Sequence, residues 1–298
     1  MKIQTLSVVV GTQACDADCP FCVSKQTGFH DLPKNRGINL RNLKKAEKLA
    51  KLSGTTTVLL TGKGEPVLYP EEIGTYVAIL GKQFPFIELQ TNGKQLGKLA
   101  LTGKCDVAIK NSTLYDWYED GLDTIALSAV DIDDKNNRQI YGDDYPGLAV
   151  IIQYLHQFGF SIRLCIMMHD GMIDRPEKVQ TVIDFCREHH VAQLTIRPIR
   201  AAANSEPGHP VTSYVRQNQI DLVHLDVIQK EIQEMGTKLL SLSHGATVYD
   251  VNGQNVCLSD CLTLEPYHDD IRTMIFYSDG RIAYDWQYHG AVFLAPNK

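Results

Sequence analysis

The 298-residue chain is 44% apolar and 21% charged, a balance ordinary for a globular protein, which excludes wholesale disorder and a disulfide-dense miniprotein. Its length is at the upper edge of what one hydrophobic core supports, so one large domain, or one domain with a smaller appendage, is expected. The formal charge of −6 without a long basic run makes nucleic acid a poor partner, and no run of about 18 apolar residues predicts a membrane span.

Residues 3–10, rich in valine, predict a first strand. Residues 39–53 predict an amphipathic helix with Asn39 as N-cap, a face of Leu43, Ala46, Leu49 and Ala50, and a stop at Gly54. The β-branched run 55–61 predicts a second strand. A helix at 71–82 and a strand at 86–91 follow, then helices at 94–101 and 112–119. Next come a strand at 122–129, a helix at 146–158, a strand at 160–168, a helix at 176–190 and a strand at 193–199. Six strand–helix alternations imply a parallel sheet flanked by helices. Six units are too few for a closed eight-unit barrel. An open, curved (β/α)6 partial barrel fits the count, and a flat doubly wound sheet is the alternative.

Residues 201–216 break the pattern and read as a linker or mobile loop. A helix near 218–235 precedes two hairpin signals, Asn252-Gly253 and Asp279-Gly280, both suited to two-residue type I′ turns. The division expected is thus a partial-barrel core, 1–205, and a C-terminal α+β unit, 206–298, containing antiparallel hairpins.

The eight cysteines carry the most information. Met1–Thr5 open no apolar signal segment, so a reducing, cytoplasmic setting is expected, where metal binding or chemistry outranks disulfides. Cys15, Cys19 and Cys22 fall within eight residues, in a segment that Gly11, Asp16, Asp18 and Pro20 shape as a curled loop. Three thiolates are one short of a closed zinc site. Cys257 or Cys261 would complete such a site under a structural-zinc reading. With a four-iron cluster, three thiolates leave one iron open to an outside ligand.

This Cys-x3-Cys-x2-Cys loop, directly after the first strand, resembles the signature of the radical SAM superfamily. The resemblance implies one 4Fe-4S cluster on Cys15, Cys19 and Cys22, its open iron chelating S-adenosylmethionine. It implies the (β/α)6 partial barrel as the fold and makes the three cysteines the centre of catalysis. Phe21 stands where that family carries an aromatic or apolar residue. Gly62-Lys63-Gly64-Glu65-Pro66 after the second strand resembles the family's Gly-Gly-Glu-Pro region, which implies backbone contact with the cofactor's methionine. Lys63 departs from the commonest pattern. Asn92, in the Thr-Asn-Gly ending of the third strand, and Ser128, ending the fourth, resemble cofactor-contacting positions. The resemblance covers roughly residues 3–200.

Later strands alternate. Arg163, Cys165, Met167 and His169 share one face of the fifth strand, opposite Ile162, Leu164, Ile166 and Met168. Thr195 and Arg197 share a face of the sixth. An all-apolar core would not carry these arginines, so their face is expected to line a lumen and meet cofactor and substrate. The alternative pairs them with helix-borne carboxylates at the rim. Cys257-x3-Cys261 offers ligands for a second cluster, but no further cysteines complete one, and two free thiols are favoured. His268-Asp269-Asp270 reads as a solvated loop. The aromatic second hairpin packs the C-terminal unit onto the barrel or forms a substrate lid.

The radical SAM resemblance implies reductive cleavage of S-adenosylmethionine to a 5′-deoxyadenosyl radical, which abstracts hydrogen from a substrate. It also implies a low-potential electron donor such as flavodoxin or ferredoxin. A small metabolite or nucleotide is the preferred substrate, because Arg163, Arg197 and Arg200 suit an anionic group. A peptide is the alternative. The competing class is a non-catalytic zinc or iron–sulfur protein.

Overall fold

The computed structural model describes residues 2–26, 32, 37–202, 205, 208–242, 245–259 and 270–295. Parallel strands β1 (Lys2–Val9), β2 (Thr57–Thr61), β3 (Phe86–Thr91), β4 (Thr124–Ala129), β5 (Ser161–Met168) and β6 (Gln193–Pro198) lie side by side in chain order. Their crossovers carry α1 (Val23–Gln26), α2 (Leu40–Leu52), α3 (Pro70–Leu80), α4 (Lys94–Thr102), α5 (Asn111–Glu119), α6 (Asp134–Tyr141), α7 (Leu148–His156) and α8 (Pro176–Glu188). The chain ends with α9 (Pro210–Asn218), α10 (Leu222–Met235), β7 (Thr237–Ser241), β8 (Thr247–Val251), β9 (Gln254–Leu258), β10 (Asp270–Phe276), β11 (Ile282–Ala283) and β12 (Val292–Leu294).

The result is a mixed α/β fold on one large, mainly parallel sheet, ordered β12-β11-β10-β1-β2-β3-β4-β5-β6-β9-β8-β7. Alternation sorts its two faces. Leu6, Val8, Val58, Leu60, Ile125, Leu127, Ile162, Leu164, Ile166, Leu194 and Ile196 are sealed from solvent against the helices' buried faces, in one continuous core. The intervening residues, Glu88, Gln90, Ser128, Arg163, Cys165, Thr195 and Arg197 among them, look the other way.

The two predicted hairpins do not form a unit of their own. β9 joins β6 in parallel and extends one edge, whereas β10 joins β1 in parallel and extends the other. Strands from 1–205 and from 206–298 belong to one sheet. The Asn252-Gly253 turn has positive φ at both residues, +53° and +85°, as type I′ requires. The Asp279-Gly280 turn differs. Asp279 accepts the Arg281 N–H (2.9 Å), only Gly280 is left-handed, and Tyr277 N–H donates to Arg281 O (3.0 Å) across a three-residue loop. Two helices depart from expectation. Residues 201–216 contain the start of α9, which has Pro210 in its first turn and His209 as cap. The polar helix α6 lies between β4 and β5. Among the described residues, no helix is long and apolar enough to cross a membrane.

Candidate active site

The loops leaving β1, β2 and β3 are bonded to one another. At the β1 exit Gly11 takes φ +69°, and a Cβ there would sit 2.1 Å from the Tyr69 ring. Its N–H donates to Glu72 Oε2 (2.8 Å), and the Thr12 and Tyr69 hydroxyls meet at 2.5 Å. The Glu65 N–H donates to Ala14 O (3.0 Å). A Cβ on Gly64 would lie 2.0 Å from that same carbonyl oxygen, so only glycine lets the two backbones touch. The Gly-x-Gly-Glu-Pro segment thus supports the cysteine loop directly.

Glu65 is buried and its carboxylate is fully used. It accepts from Val67 N–H (2.9 Å), the Thr91 hydroxyl (2.7 Å) and Asn92 N–H (2.9 Å). Burial pushes its pKa to about 7, against the pull of those three donors. Asn92 is equally committed. Its Nδ2 donates to Asp16 Oδ1 (2.8 Å), and its Oδ1 accepts the Lys94 N–H (2.9 Å) at the start of α4. Asp16 also accepts from Gln95 Nε2 (2.7 Å), and its backbone carbonyl accepts from Lys94 Nζ (2.9 Å). One residue inside the cysteine loop therefore anchors it to β3 and α4.

Cys15 is exposed and Cys19 and Cys22 are half-buried, all as free thiols. Desolvation, with Glu65, Asp16 and then Cys22 adding, pushes Cys15 to about 11, and burial, with Cys22 and Cys15 adding, pushes Cys19 to about 12. Among the described residues, these sulfurs are not gathered round a point that a single ion would fill. They are close enough to act on one another electrostatically. A four-iron cluster distributes its thiolates over separate irons. Three soft donors on a loop braced from two sides fit that group, with no fourth described cysteine beside them.

Phe21 turns inward and meets the His169 ring edge-on, centroids 4.6 Å apart. His169 Nδ1 donates to Met167 O (2.8 Å), and burial lowers its pKa. Gln26, in α1, donates to Phe21 O (3.2 Å) and accepts the Ala202 N–H (2.9 Å), tying the cysteine loop to the segment after β6. Lys63 is buried with its ammonium 5.2 Å from the Trp286 ring centre. Burial first, and then Arg281, lowers its pKa to about 8.

The β4–β6–β9 side of the polar face is arranged in register. Ser128, Cys165, Thr195 and Cys257 form one row across four strands. Arg163 pairs with Glu88 across the face at 2.5 Å, and Gln90 Nε2 also donates to Glu88 (3.0 Å). The carboxylate opposite Arg163 is therefore strand-borne, not helix-borne. Arg197 makes no ion pair or hydrogen bond among the described residues, and its Nε is buried, as is an unbonded Nε of Arg163. Cys257 is half-buried on β9, whereas Cys261 and His268-Asp269 lie outside the described residues.

Of the residues singled out in the sequence, Cys15, Cys19, Cys22, Phe21, Gly62, Gly64, Glu65, Pro66 and Asn92 lie on the three adjoining loops, and Ser128, Arg163 and Arg197 on the polar face. Sequence reasoning missed Asp16, Gln26, Gln95 and Glu88. Glu88 had a signal, since it shares strand parity with Gln90 inside an apolar run. The others are partners through tertiary contact alone.

No protein-family model and no curated protein matches the sequence. Solved structures do. SuiB from Streptococcus suis bound to S-adenosylmethionine superposes with a TM-score of 0.61 at 16% identity, covering 99% of this chain and 63% of SuiB. SuiB bound to its precursor peptide SuiA gives 0.55 at 15%, covering 100% and 62%. A radical SAM methyltransferase from Sphaerobacter thermophilus gives 0.51 at 16%, covering 86% and 66%. The chain thus shares the fold of these structures. Within it, SuiB shares nearly the whole of this chain's extent, while the chain spans less than two thirds of SuiB.

Proposed function

We propose that the chain is a radical S-adenosylmethionine enzyme whose first six strands and their helices act as a (β/α)6 partial barrel. The observation that carries this reading is the three-cysteine loop at the end of β1, locked to the Gly-x-Gly-Glu-Pro loop through Gly64 and Ala14, on a radical SAM fold. When bound, a 4Fe-4S cluster and S-adenosylmethionine together supply a 5′-deoxyadenosyl radical able to take hydrogen from an unactivated carbon. Cys15, Cys19 and Cys22 would hold the cluster. The backbone of Gly62–Pro66 and the side chains of Phe21, Asn92 and Ser128 border the cofactor. Arg163 and Arg197 extend that border toward the substrate. Glu65 and Asp16 keep the loops in register rather than reacting. The segment 206–298 serves as the substrate-facing part, through Cys257 on β9 and the Trp286 hairpin over Lys63. A low-potential flavodoxin or ferredoxin delivers the electron.

The substrate is organic, and a small metabolite or nucleotide is preferred. A peptide is the second reading, favoured by the likeness to SuiB in its peptide complex. Anaerobic reconstitution tests the core of the proposal. Brown protein with about four irons per chain, releasing 5′-deoxyadenosine when reduced with S-adenosylmethionine, supports it. Cys19→Ala should abolish both. Colourless protein holding one zinc overturns it in favour of a structural metal site.

A further inference from the structure

Two arginines stand on adjoining strands of the polar face. Arg163 lies on β5 in register with Gln193, and Arg197 on β6 in register with Met167. The rows are four residues apart, ~13 Å along the strands, a gap that two extended arginine side chains are long enough to close round an anion. Between them lies the row of Cys165, Thr195 and Cys257. We propose that Arg163 and Arg197 together seat the acid group, carboxylate or phosphate, of the organic substrate, beside the Cys257 thiol. The proposal rests on the radical SAM reading for the word substrate, and on the geometry alone for the anion.

Three observations carry it. First, the donors are unspent. Arg197 has no acceptor among the described residues, Arg163 gives only one of its nitrogens to Glu88, and the Nε of each is buried without a partner. Buried donors of a charged group are costly to leave unmatched, and a planar fork is matched best by a carboxylate or phosphate. Second, the charge does not balance. Glu88 answers one arginine, while Glu65 and Asp16 are consumed by the loops of β2 and β3. Third, the arginines belong to β5 and β6, whereas the proposed cofactor loops leave β1, β2 and β3, the cysteine loop reaching the ends of β5 and β6 through Phe21–His169 and Gln26–Ala202. Both arginines also act on the Cys257 thiol, opposing the rise that burial imposes on it, so all three groups share one electrostatic neighbourhood.

Cys257 is the built-in reporter. In the cluster-loaded, anaerobic full-length protein, its alkylation by iodoacetamide is followed by peptide mass spectrometry, with inorganic phosphate in one arm and succinate in the other. An anion between the arginines covers the thiol and cancels the positive field that favours thiolate. The expected result is alkylation slowed about tenfold when either probe exceeds its dissociation constant tenfold. The arm with the larger effect tells phosphate from carboxylate. The slowing disappears in Arg197→Gln and is weakened in Arg197→Lys. No slowing by either probe, or equal slowing in Arg197→Gln, overturns the proposal. So does loss of the effect under saturating S-adenosylhomocysteine, which would give the arginines to the cofactor's own carboxylate. If Arg197→Gln does not fold, the wild-type arms and Arg197→Lys decide. A chain that takes up no cluster defeats the enzymatic reading, and the same alkylation in the unloaded protein still decides whether the arginines hold an anion.

Discussion

The two sides of the sheet's polar end are built on opposite plans. Around β1, β2 and β3, Glu65, Asp16 and Asn92 spend their side-chain groups on neighbouring loops, and glycine at position 64 lets two backbones meet. Around β5, β6 and β9, Arg163 and Arg197 keep buried nitrogens without partners, and Thr195 makes no side-chain bond among the described residues. A site whose polar groups satisfy one another holds a shape. A site whose polar groups are left over holds a place for something else. Under the proposed function, the first suits a cluster that stays put through every turnover, the second a substrate that comes and goes.

Substitutions can break that contrast. The largest effect is expected from Gly64→Ala, because the new Cβ meets a backbone carbonyl that no rotamer can move. A loss on the order of 4 kcal/mol in denaturant unfolding is expected, with failure of the cysteine loop to take iron. Next is Glu65. Its pKa, raised from about 4.5 to about 7, means that the native state binds more protons than the unfolded chain between those values. Stability from this group is therefore greatest below the lower value and falls as pH climbs to the upper one, by on the order of 3 kcal/mol. Glu65→Gln should flatten that part of the stability–pH curve, and an unchanged slope would mean that the carboxylate is not the cause.

A smaller effect is expected on the open side. Glu88→Ala strands Arg163, but both side chains retain some solvent contact, 17% and 9%. A cost of about 2 kcal/mol, below that for Gly64→Ala, is expected from thermal or urea unfolding. Added phosphate should restore part of it by giving Arg163 a new counter-charge. Thr195→Val should be the mildest, within about 0.5 kcal/mol, since it removes a hydroxyl that the described residues do not use. A large loss there would show that the open side is bonded as tightly as the other.

The sequence reveals these two plans unequally. Alternation in β5 exposed its polar face outright, because four apolar residues at period two leave the others only one side. The cysteine spacing and Gly62–Pro66 were legible because they are local. Helix α6 was missed because Asp134–Tyr141 buries only Asn137, Ile140 and Tyr141, too few to impose a period. The start of α9 was missed because Pro210 reads as a breaker unless its place in the first turn is known. Each hairpin announced a turn, the second of another type than expected, but not its neighbour. Nothing in Gln254–Leu258 or Asp270–Phe276 specifies that one strand will lie against β6 and the other against β1. Asp16 and Gln26 likewise look like loop polars until distant partners are brought to them.

The pairing of β1 with β10 has a consequence for how the protein is made. The Thr5 hydroxyl donates to the Arg272 carbonyl across 267 residues of sequence. During synthesis the first strand gains β2 soon after it emerges, and then waits with its other edge unpaired until residues 270–276 follow. Contacts this distant are slow to form, and an unpaired apolar edge recruits strands from other chains. The nascent protein is thus most vulnerable along Lys2–Val9. A chain halted before residue 270 leaves Lys2–Val9 without its second neighbour.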